Sequence, residues 1–523
     1  VTVGADDVAL PQVAKPELEV FGRAFSPSFR SSAGTQADRS IIRDLSAWGA
    51  IAIFSSNGAI VPAVTLRDLR YENNVIGTPP DGFTDPGAGS NPSSCITFSQ
   101  AEDGHIVNNL IGFCDHSLIS ASTSAGWTIS GNELRDGGVA GAPEDAIRLG
   151  RAGGSVTASG FTVEANHIEG HPSNGIDSAQ GGGHTIRNNT IVGNGSGGVE
   201  IAGIRLATDG NLVDRNVIQT NTGAGVLVIG DDAGFPDSAA RQNRITANLF
   251  SGNGGPGIDL VAQGGDPALG DGPTANAQVP PNCGYDNNGG NRVIDVPIID
   301  TADLVGPTST VTGRACASST VELYRASGDE GDLYLGSAAT DGSGNFSTAV
   351  TGLTPSDSVV AIVRDAADET SEFGASLALT EILSITGTIF EDLVGDVLDD
   401  GVVGDANNPG LASVDVYLYD DTNGNGAPDA GEPLTVGVTN PAVTDGSGAY
   451  AFSPLPLGDY LVVVDSRSVD PTQPFVASPV HWAEQTYGPA GSLCSDWVSG
   501  TVTRGAAGPC YGGRRGPDFD DLA

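Results

Sequence analysis

From residue 41 to about residue 260 the apolar positions come in short bursts, and each burst follows an asparagine. The unit is Asn, one residue, then an aliphatic or aromatic residue, often with Gly close behind. It reads "NNVIG" (Asn74, Ile76), "NNLIG" (Asn109, Ile111), "GNELRDGG" (Asn132, Leu134) and "ANHIEG" (Asn166, Ile168). It continues as "NNTIVGNG" (Asn189, Ile191), "RNVIQTN" (Asn216, Ile218) and "ANLFSGN" (Asn248, Phe250). Successive aligned asparagines lie 35, 23, 34, 23, 27 and 32 residues apart. Each interval holds a second short apolar strand, such as "AIRLG", "GIRLA" or "GVLVIG". A period of about 22 residues plus insertions fits one coil of a right-handed parallel β-helix. A single coil cannot bury its own aliphatic face, so coils must stack. The pattern assigns Asn to the tight corner, where it tolerates the left-handed conformation and can bond along the axis. A leucine-rich repeat would need denser leucine and a stricter period. Insertions such as "GTPPDGFTDPGAGSNPSS" (77–94) read as lateral loops.

Beyond residue 261 the period disappears. Residues 261–292 are rich in Gly, Pro and Asn and read as an exit from the β-helix. From Val293 the pattern becomes short alternating strands: "VIDVPII", "STVTGRA", "TVELYRA", "DLYLGSA", "GNFSTAV", "SVVAIVRD". Turn signals every 8–12 residues predict a β-sandwich over 293–380. A second sandwich is expected over 381–523, with strands "SITGTIFED", "VDVYLYDD", "PLTVGV", "GAYAFSPL" and "GDYLVVVD" and a tail of weak pattern from residue 480. The turn "TDGSGNF" (340–346) recurs as "TDGSGAY" (444–450), which suggests related modules in tandem. The expected class is all-β: a parallel β-helix over 41–292, then two sandwiches. Residues 1–40 fit either a cap for the first coil or an arm that pairs with a neighbouring molecule.

One stretch carries metal chemistry. In "DTNGNGAPDAGE", Asp421, Asn423 and Asn425 stand at loop positions 1, 3 and 5. Gly426 follows at 6, Ala427 would offer its carbonyl at 7, Asp429 stands at 9 and Glu432 at 12. This is an oxygen set for Ca²⁺, a hard ion wanting six to eight oxygens at about 2.3–2.6 Å. Strands, not helices, flank the loop. The run "GTIFED…GLASVDVYLYDDTNGNGAPDAGEP…TDGSGAYAFSPLPLGDYLVVVD" resembles the calcium-binding SdrD B-like modules of bacterial surface adhesins, within the Cna-B-like sandwiches. The resemblance covers roughly 385–465 and implies a stalk stiffened by calcium. It also implies a second acidic loop, here "EDLVGDVLDDGVVGD" with Asp392, Asp396, Asp399 and Asp400, whose spacing departs from the strict pattern. Related sandwiches carry Lys–Asn crosslinks. Here Lys15 is the single lysine, which excludes such a bond within the sandwich. The β-helix region in turn resembles the repeat regions of secreted bacterial surface proteins and polysaccharide-active enzymes.

Charge and cysteine usage narrow the setting. Sixty-four acidic residues against 23 basic ones leave a net charge of −41 across 523 residues. Such a surface repels phosphate backbones and anionic membranes, so nucleic acid and membrane insertion are disfavoured, and divalent cations are natural partners. The six cysteines form three local pairs: Cys95 and Cys114, Cys283 and Cys316, Cys494 and Cys510. Closing loops of about 15–35 residues is worth roughly 3–4 kcal/mol each in the chain-entropy model. Without a CxxC motif, disulfides and an exported, extracellular protein are expected. The sequence begins without methionine and has no evident stop signal at "GPDFDDLA", so a processed start and a longer natural chain are expected.

Catalysis has thinner support. A hydrolase needs paired carboxylates roughly 5–10 Å apart, and a lyase pairs carboxylates with an Arg or Lys base. Asp177 in "NGID", Asp231 and Asp232 in "IGDDAG", and His184 in "GGGH" are the candidates. "IGDDAG" is similar to the aspartate pair of polygalacturonases, but the rest of that pattern is missing or out of order. These residues are therefore expected on exposed corners, and no catalytic residue is assigned. His167 and His171 read as solvated or ladder residues. The function expected is an extracellular structural or adhesive protein that forms homo-oligomers or a homopolymeric filament. The alternative is a β-helix that binds or degrades polysaccharide on a stalk.

Overall fold

The structure is a computed structural model. It describes residues 41–43, 46–47, 53–56, 66–79, 83–87, 91–139, 144–150, 157–231, 239–279, 281–284, 286–390, 409–424, 432–465 and 468. The N-terminal arm or cap expected over 1–40 lies outside them. Two compact units divide at Leu379/Thr380.

The first unit opens with the right-handed β-helix. Among the described residues, three parallel sheets of eight strands each run along it. The first sheet passes from Ile41–Arg43 to Arg244–Thr246, the second from Ser46–Ala47 to Leu249–Ser251, and the third from Ile53–Ser56 to Ile258–Leu260. A shorter fourth sheet of five strands runs from Leu66–Arg67 to Gly181–Gly182. The asparagine repeat marks the second sheet, and "AIRLG" and its kin form the third. The first sheet, with triplets such as Thr128–Ser130 and Thr162–Glu164, is the strand that precedes each asparagine.

Each strand of three turns one or two side chains inward. In the second sheet the column Ile76, Ile111, Leu134, Ile168, Ile191, Ile218, Phe250 is fully buried. Burying one such side chain contributes roughly 1.5–3 kcal/mol. Trp127 fills the early coils, stacked on Phe98 with centroids 3.8 Å apart. Gly104 lies against its indole, where a Cβ would come within 2.5 Å of the ring.

The asparagines form a continuous buried ladder. Asn74 donates its backbone N–H and its Nδ2 to Asn109 Oδ1, at 2.9 and 2.8 Å. The same double bond links Asn109 to Asn132, Asn132 to Asn166, Asn166 to Asn189, Asn189 to Asn216 and Asn216 to Asn248. The second Nδ2 proton goes to a backbone carbonyl, as from Asn132 to Ile106 at 2.8 Å. A buried amide satisfied at every atom in this way contributes instead of costing. The left-handed conformation falls elsewhere than expected. It belongs to the residue before each ladder asparagine: Asn73, Asn108, Gly131, Ala165, Asn188, Arg215 and Ala247 all have positive φ. The preceding residue makes the turn, which leaves the ladder asparagine to aim its amide along the axis.

The end of the β-helix is closed by the sandwich. Its sheets are Ile298–Val305, Thr308–Arg314 and Asn345–Thr351 on one side, and Thr320–Ser327, Glu330–Ala339, Ser358–Arg364 and Leu377–Ala378 on the other. Three glutamates of this module take up the last amides of the helix. Glu322 accepts Ala247 N–H at 3.0 Å and the Thr246 hydroxyl. Glu330 accepts Asn253 through Nδ2 at 2.6 Å and N–H at 3.3 Å. Glu372 accepts Leu260 N–H at 2.9 Å. Thr370 Oγ1 accepts Ile245 N–H at 2.9 Å, and Phe373 packs edge-on against Phe250. Tyr324, Val360 and Ile362 join the same apolar core as the helix interior. Cys283–Cys316 ties the exit segment to the sandwich, and Cys95–Cys114 staples an early coil. Cys494 and Cys510 lie outside the described residues.

The second unit has its own core around Val416, Leu418, Phe452 and Leu455. Leu383–Thr388 pairs with Ala449–Leu455, while Ala442–Val443, Asp415–Asp420 and Tyr460–Val464 form a second sheet, all antiparallel. "PLTVGV" is not the strand expected: among the described residues it contributes a single bridge, Leu434 to Tyr419. Asn440 intervenes, donating Nδ2 to Leu418 O at 2.6 Å and accepting Leu418 N–H at 3.1 Å, so the pairing stops there.

The ladder makes a quantitative expectation. Asn189→Ala strips two donors of Asn166 of their acceptor, and each buried orphan costs about 1–3 kcal/mol. Chemical denaturation should show a loss of about 3 kcal/mol or more. Thr190→Ala, half-buried and outward, should stay within about 0.5 kcal/mol. Likewise, a fragment ending at residue 292 exposes the amides that Glu322, Glu330 and Glu372 cover, and it should lack a cooperative unfolding transition.

Candidate functional site

The candidate metal loop starts where a strand ends. Asp415–Asp420 delivers Asp421, which is 9% exposed, and Asp421 N–H bonds to Asp459 O at 2.9 Å. The far end of the loop returns to the same strand. Asp420 N–H donates to Pro433 O at 3.0 Å, Thr435 N–H to Leu418 O at 2.9 Å, and Thr435 Oγ1 to Asp420 Oδ1 at 2.7 Å. Positions 1 and 12, Asp421 and Glu432, are thus anchored at the two feet of one closed loop. Asn423 is also described. Asn425, Ala427 and Asp429 lie outside the described residues, as do Asp392, Asp396, Asp399 and Asp400. Among the described residues no three His, Cys, Asp or Glu are placed to hold a metal ion. The closed feet and the all-oxygen donor set fit a hard dication such as Ca²⁺. Asp421 and Glu432 would supply its charged ligands and Asn423 a neutral one. Bound there, the ion would neutralise the carboxylates and tie the two feet together.

A second concentration of chemistry lies on the outward face of the second sheet. Register stacks Glu133 on His167 and Arg135 on Glu169. Arg135 pairs with Glu133 at 2.6 Å and with Glu169 at 2.8 Å, and His167 Nε2 lies 2.9 Å from Glu169 Oε2. Burial raises the Glu133 carboxyl above its ordinary range, with His167 and Arg135 opposing. Beside this quartet stands an aromatic pair, Phe83 and Phe113, with centroids 4.6 Å apart. Phe83 comes from a lateral loop and lies over Gly112, while Phe113 turns the corner beside Asp136. The sequence reading missed this patch. The signal was present, since Glu133 and His167 each follow a ladder asparagine by one residue, and Arg135 and Glu169 by three.

The catalytic candidates are placed differently from expectation. Asp177 is not on an exposed corner. It is the middle residue of strand Ile176–Ser178, 2% exposed, and pairs with Arg205 at 2.9 Å. Nearby, Ser173 Oγ lies 3.1 Å from Asp145 Oδ1 and 3.2 Å from Glu200 Oε2. One hydroxyl proton cannot serve both, so one carboxyl must bring its own. Burial, then the charges of Asp177 and Glu200, hold the Asp145 carboxyl well above the usual carboxylate range, and Asn174 Nδ2 donates to its Oδ1 at 2.8 Å. The cluster is enclosed, with Asp145, Ser173 and Asn174 at 1% exposure or less, which suits a structural network better than a substrate site. His184 is buried too, accepting Phe161 N–H at 3.2 Å, and burial lowers its pKa to about 4. His171 is a ladder residue, its N–H on Asn194 Oδ1 at 3.1 Å, with its pKa also lowered to about 4 by burial. His167 belongs to the outward quartet. Asp231 is described and half-buried; Asp232 lies outside the described residues.

Residues 94–271 match the family model for the right handed beta helix region. No curated protein matches the sequence. Among solved structures the chain is similar to ORF18 of Geobacillus virus E2, at 12% identity and a TM-score of 0.31, covering 65% of this chain and 66% of that one. It is also similar to an alginate lyase from Paenibacillus sp. str. FPU-7 (12% identity, TM-score 0.25, 40% of this chain, 74% of that one). A third is PfbA, a surface adhesin of Streptococcus pneumoniae (12% identity, TM-score 0.24, 50% of this chain, 76% of that one). The assignment of a β-helix rests on the strand register and the family model, not on these distant likenesses. No described helix is long and apolar enough to cross a membrane.

For the loop, calorimetric titration of the whole protein with calcium should reveal at least one site. Asp421→Ala combined with Glu432→Ala should abolish it, and unchanged binding in the double variant would show that the loop holds no ion.

Proposed function

We propose that the chain is an extracellular structural or adhesive protein, stiffened by calcium and disulfides, that assembles with copies of itself at a cell surface. The observation that carries this reading is the sealed β-helix. A continuous asparagine ladder runs along its axis, and buried glutamates of the next module close its end. Such a body resists bending and local opening, which is what a load-bearing or display element needs. Two disulfides favour an oxidising compartment. The calcium loop extends the same logic into the second unit, since a permanently filled site at about millimolar calcium acts as a brace. The sheet edges and the acidic surface leave self-association to strand addition or metal bridging.

A second reading has a specific observation behind it. The quartet Glu133, Arg135, His167 and Glu169, flanked by Phe83 and Phe113, offers carboxylates and a guanidinium for sugar hydroxyls and an aromatic wall for stacking. With a net charge of −41, a neutral glycan suits it better than an acidic one. The two readings are compatible if the protein is an adhesin that binds glycan.

Negative-stain microscopy of the purified protein, with and without a chelator, tests assembly. Calcium-dependent filaments or sheets are expected, and monodisperse single copies under both conditions would refute self-assembly. A glycan array tests the second reading. Binding that is lost in Glu133→Gln with Glu169→Gln supports it, and release of reducing ends or unsaturated products would point to an enzyme instead.

A further inference from the structure

The β-helix and the first sandwich meet at a cluster of three acids. Asp259 is the outward middle residue of the last third-sheet strand, Ile258–Leu260, and is 1% exposed. The same column of the sheet reads Asp177, Arg205, Leu227, Asp259. Arg205 does not serve Asp259: its Nη1 is on Asp177 and its Nε on Pro267 O, both at 2.9 Å, and Leu227 stands between. The chain then folds back over Asp259. Gly272 N–H donates to Asp259 Oδ2 at 3.1 Å, and Gly270 packs against the same oxygen. Asp259 Oδ1 is buried and meets no donor among the described residues. From the returning loop comes Asp271, whose Oδ2 accepts Ala262 N–H at 3.0 Å. From the sandwich comes Glu372, accepting Leu260 N–H at 2.9 Å and Thr274 N–H at 2.6 Å. Asp266 on the same loop is occupied by Ala268 and Leu269 N–H in its own turn. The charges that act on Asp259 are therefore those of Glu372 and Asp271, both acidic.

We propose that this seam is a proton-operated latch, in which Asp259 is held as a neutral carboxylic acid and its ionisation loosens the junction between the β-helix and its end cap. A buried carboxyl oxygen with no donor, faced by two carboxylates, is relieved by a proton of its own. Glu372 is the coupling element, because its oxygens hold one amide of the last helix strand and one of the exit segment. Burial, then the Glu372 charge, raises Asp259 to about 8. Burial raises Glu372 to about 7. The sign follows from linkage. Both folded-state values lie above the ordinary carboxylate range near 4, so the folded chain keeps protons that the unfolded chain releases. The stability tied to these protons is complete below about pH 4 and is lost as pH rises through 7 to 8. The seam tightens in mild acid and slackens in mild alkali.

The experiment is urea unfolding of the full chain at pH 5, 6.5, 8 and 9, with hydrogen exchange of peptides over 258–274 corrected for intrinsic rate. The wild type should lose midpoint steadily from pH 5 to 8, and Leu260 and Thr274 amides should exchange at least tenfold faster at pH 8.5 than at pH 6. Asp259→Asn, whose amide imitates the neutral acid, should flatten both trends and equal or exceed the wild type at pH 9. Should that variant fail to fold, Asp271→Asn removes one facing charge that keeps Asp259 protonated and should shift the exchange transition to lower pH. Retention of the full wild-type pH dependence in the variants overturns the latch. So does stabilisation of the wild type at pH 8 by millimolar calcium that vanishes in Asp259→Asn, since a cation would then be the neutralising species.

Discussion

Every part of the first unit answers to one constraint: a parallel sheet has a row of amides at its last strand, and buried amides must find acceptors. Inside the β-helix each coil supplies acceptors to the coil before it, through strand pairing and through asparagine Oδ1. That chain of donation has a direction, so it must terminate. The terminus is built from side chains of another module. Carboxylates are suited to the task because each accepts two or more N–H groups and charge-assisted bonds are the strong ones. Glu322 and Glu330 each take two helix donors, and Glu372 joins a helix amide to one from the exit segment.

This arrangement changes what the sandwich is. It is not a bead threaded after a rod. Tyr324, Val360 and Ile362 belong to the helix core, and the extended segment Thr370–Gly374 lies across the last coil as a plug. Arg292 fastens the plug from the exit side, bonding Asp365 at 2.7 Å and also Glu369. The cost is the gathering of acids in one place. Amide donors and Arg292 offset most of it, and the Asp259 corner is where the offset is incomplete. An acidic protein that caps with carboxylates thus acquires pH sensitivity at its joint.

The coil was legible because its signal is periodic and repeated. Seven aligned asparagines with an apolar residue two positions on leave little freedom for any other stacked fold. The sandwich strands were legible from alternation, and the sequence-local pairing of Cys95 with Cys114 and Cys283 with Cys316 matched the bonds formed. What misled was local. Asparagine's tolerance of left-handed geometry pointed at the ladder residue, yet the preceding residue makes the turn. "PLTVGV" has strand propensity, yet Asn440 occupies the hydrogen bonds it would need. Asp177 and His184 sat beside glycines and read as corners, yet one is mid-strand and both are buried.

The sequence alone determined the period of the coil, the identity of its ladder, the all-β class and the oxygen-donor pattern at 421–432. All of these are short-range: they depend on spacing along the chain, which folding does not alter. The tertiary structure alone decided which outward residues share a face, as with Glu133, Arg135, His167 and Glu169, and which acids seal the helix. Glu322, Glu330 and Glu372 stand 76, 77 and 112 residues from the helix residues they bond, and nothing local distinguishes them from any solvated glutamate. Their role is set by burial and by the unpaired amides opposite, and both exist only once the chain has folded.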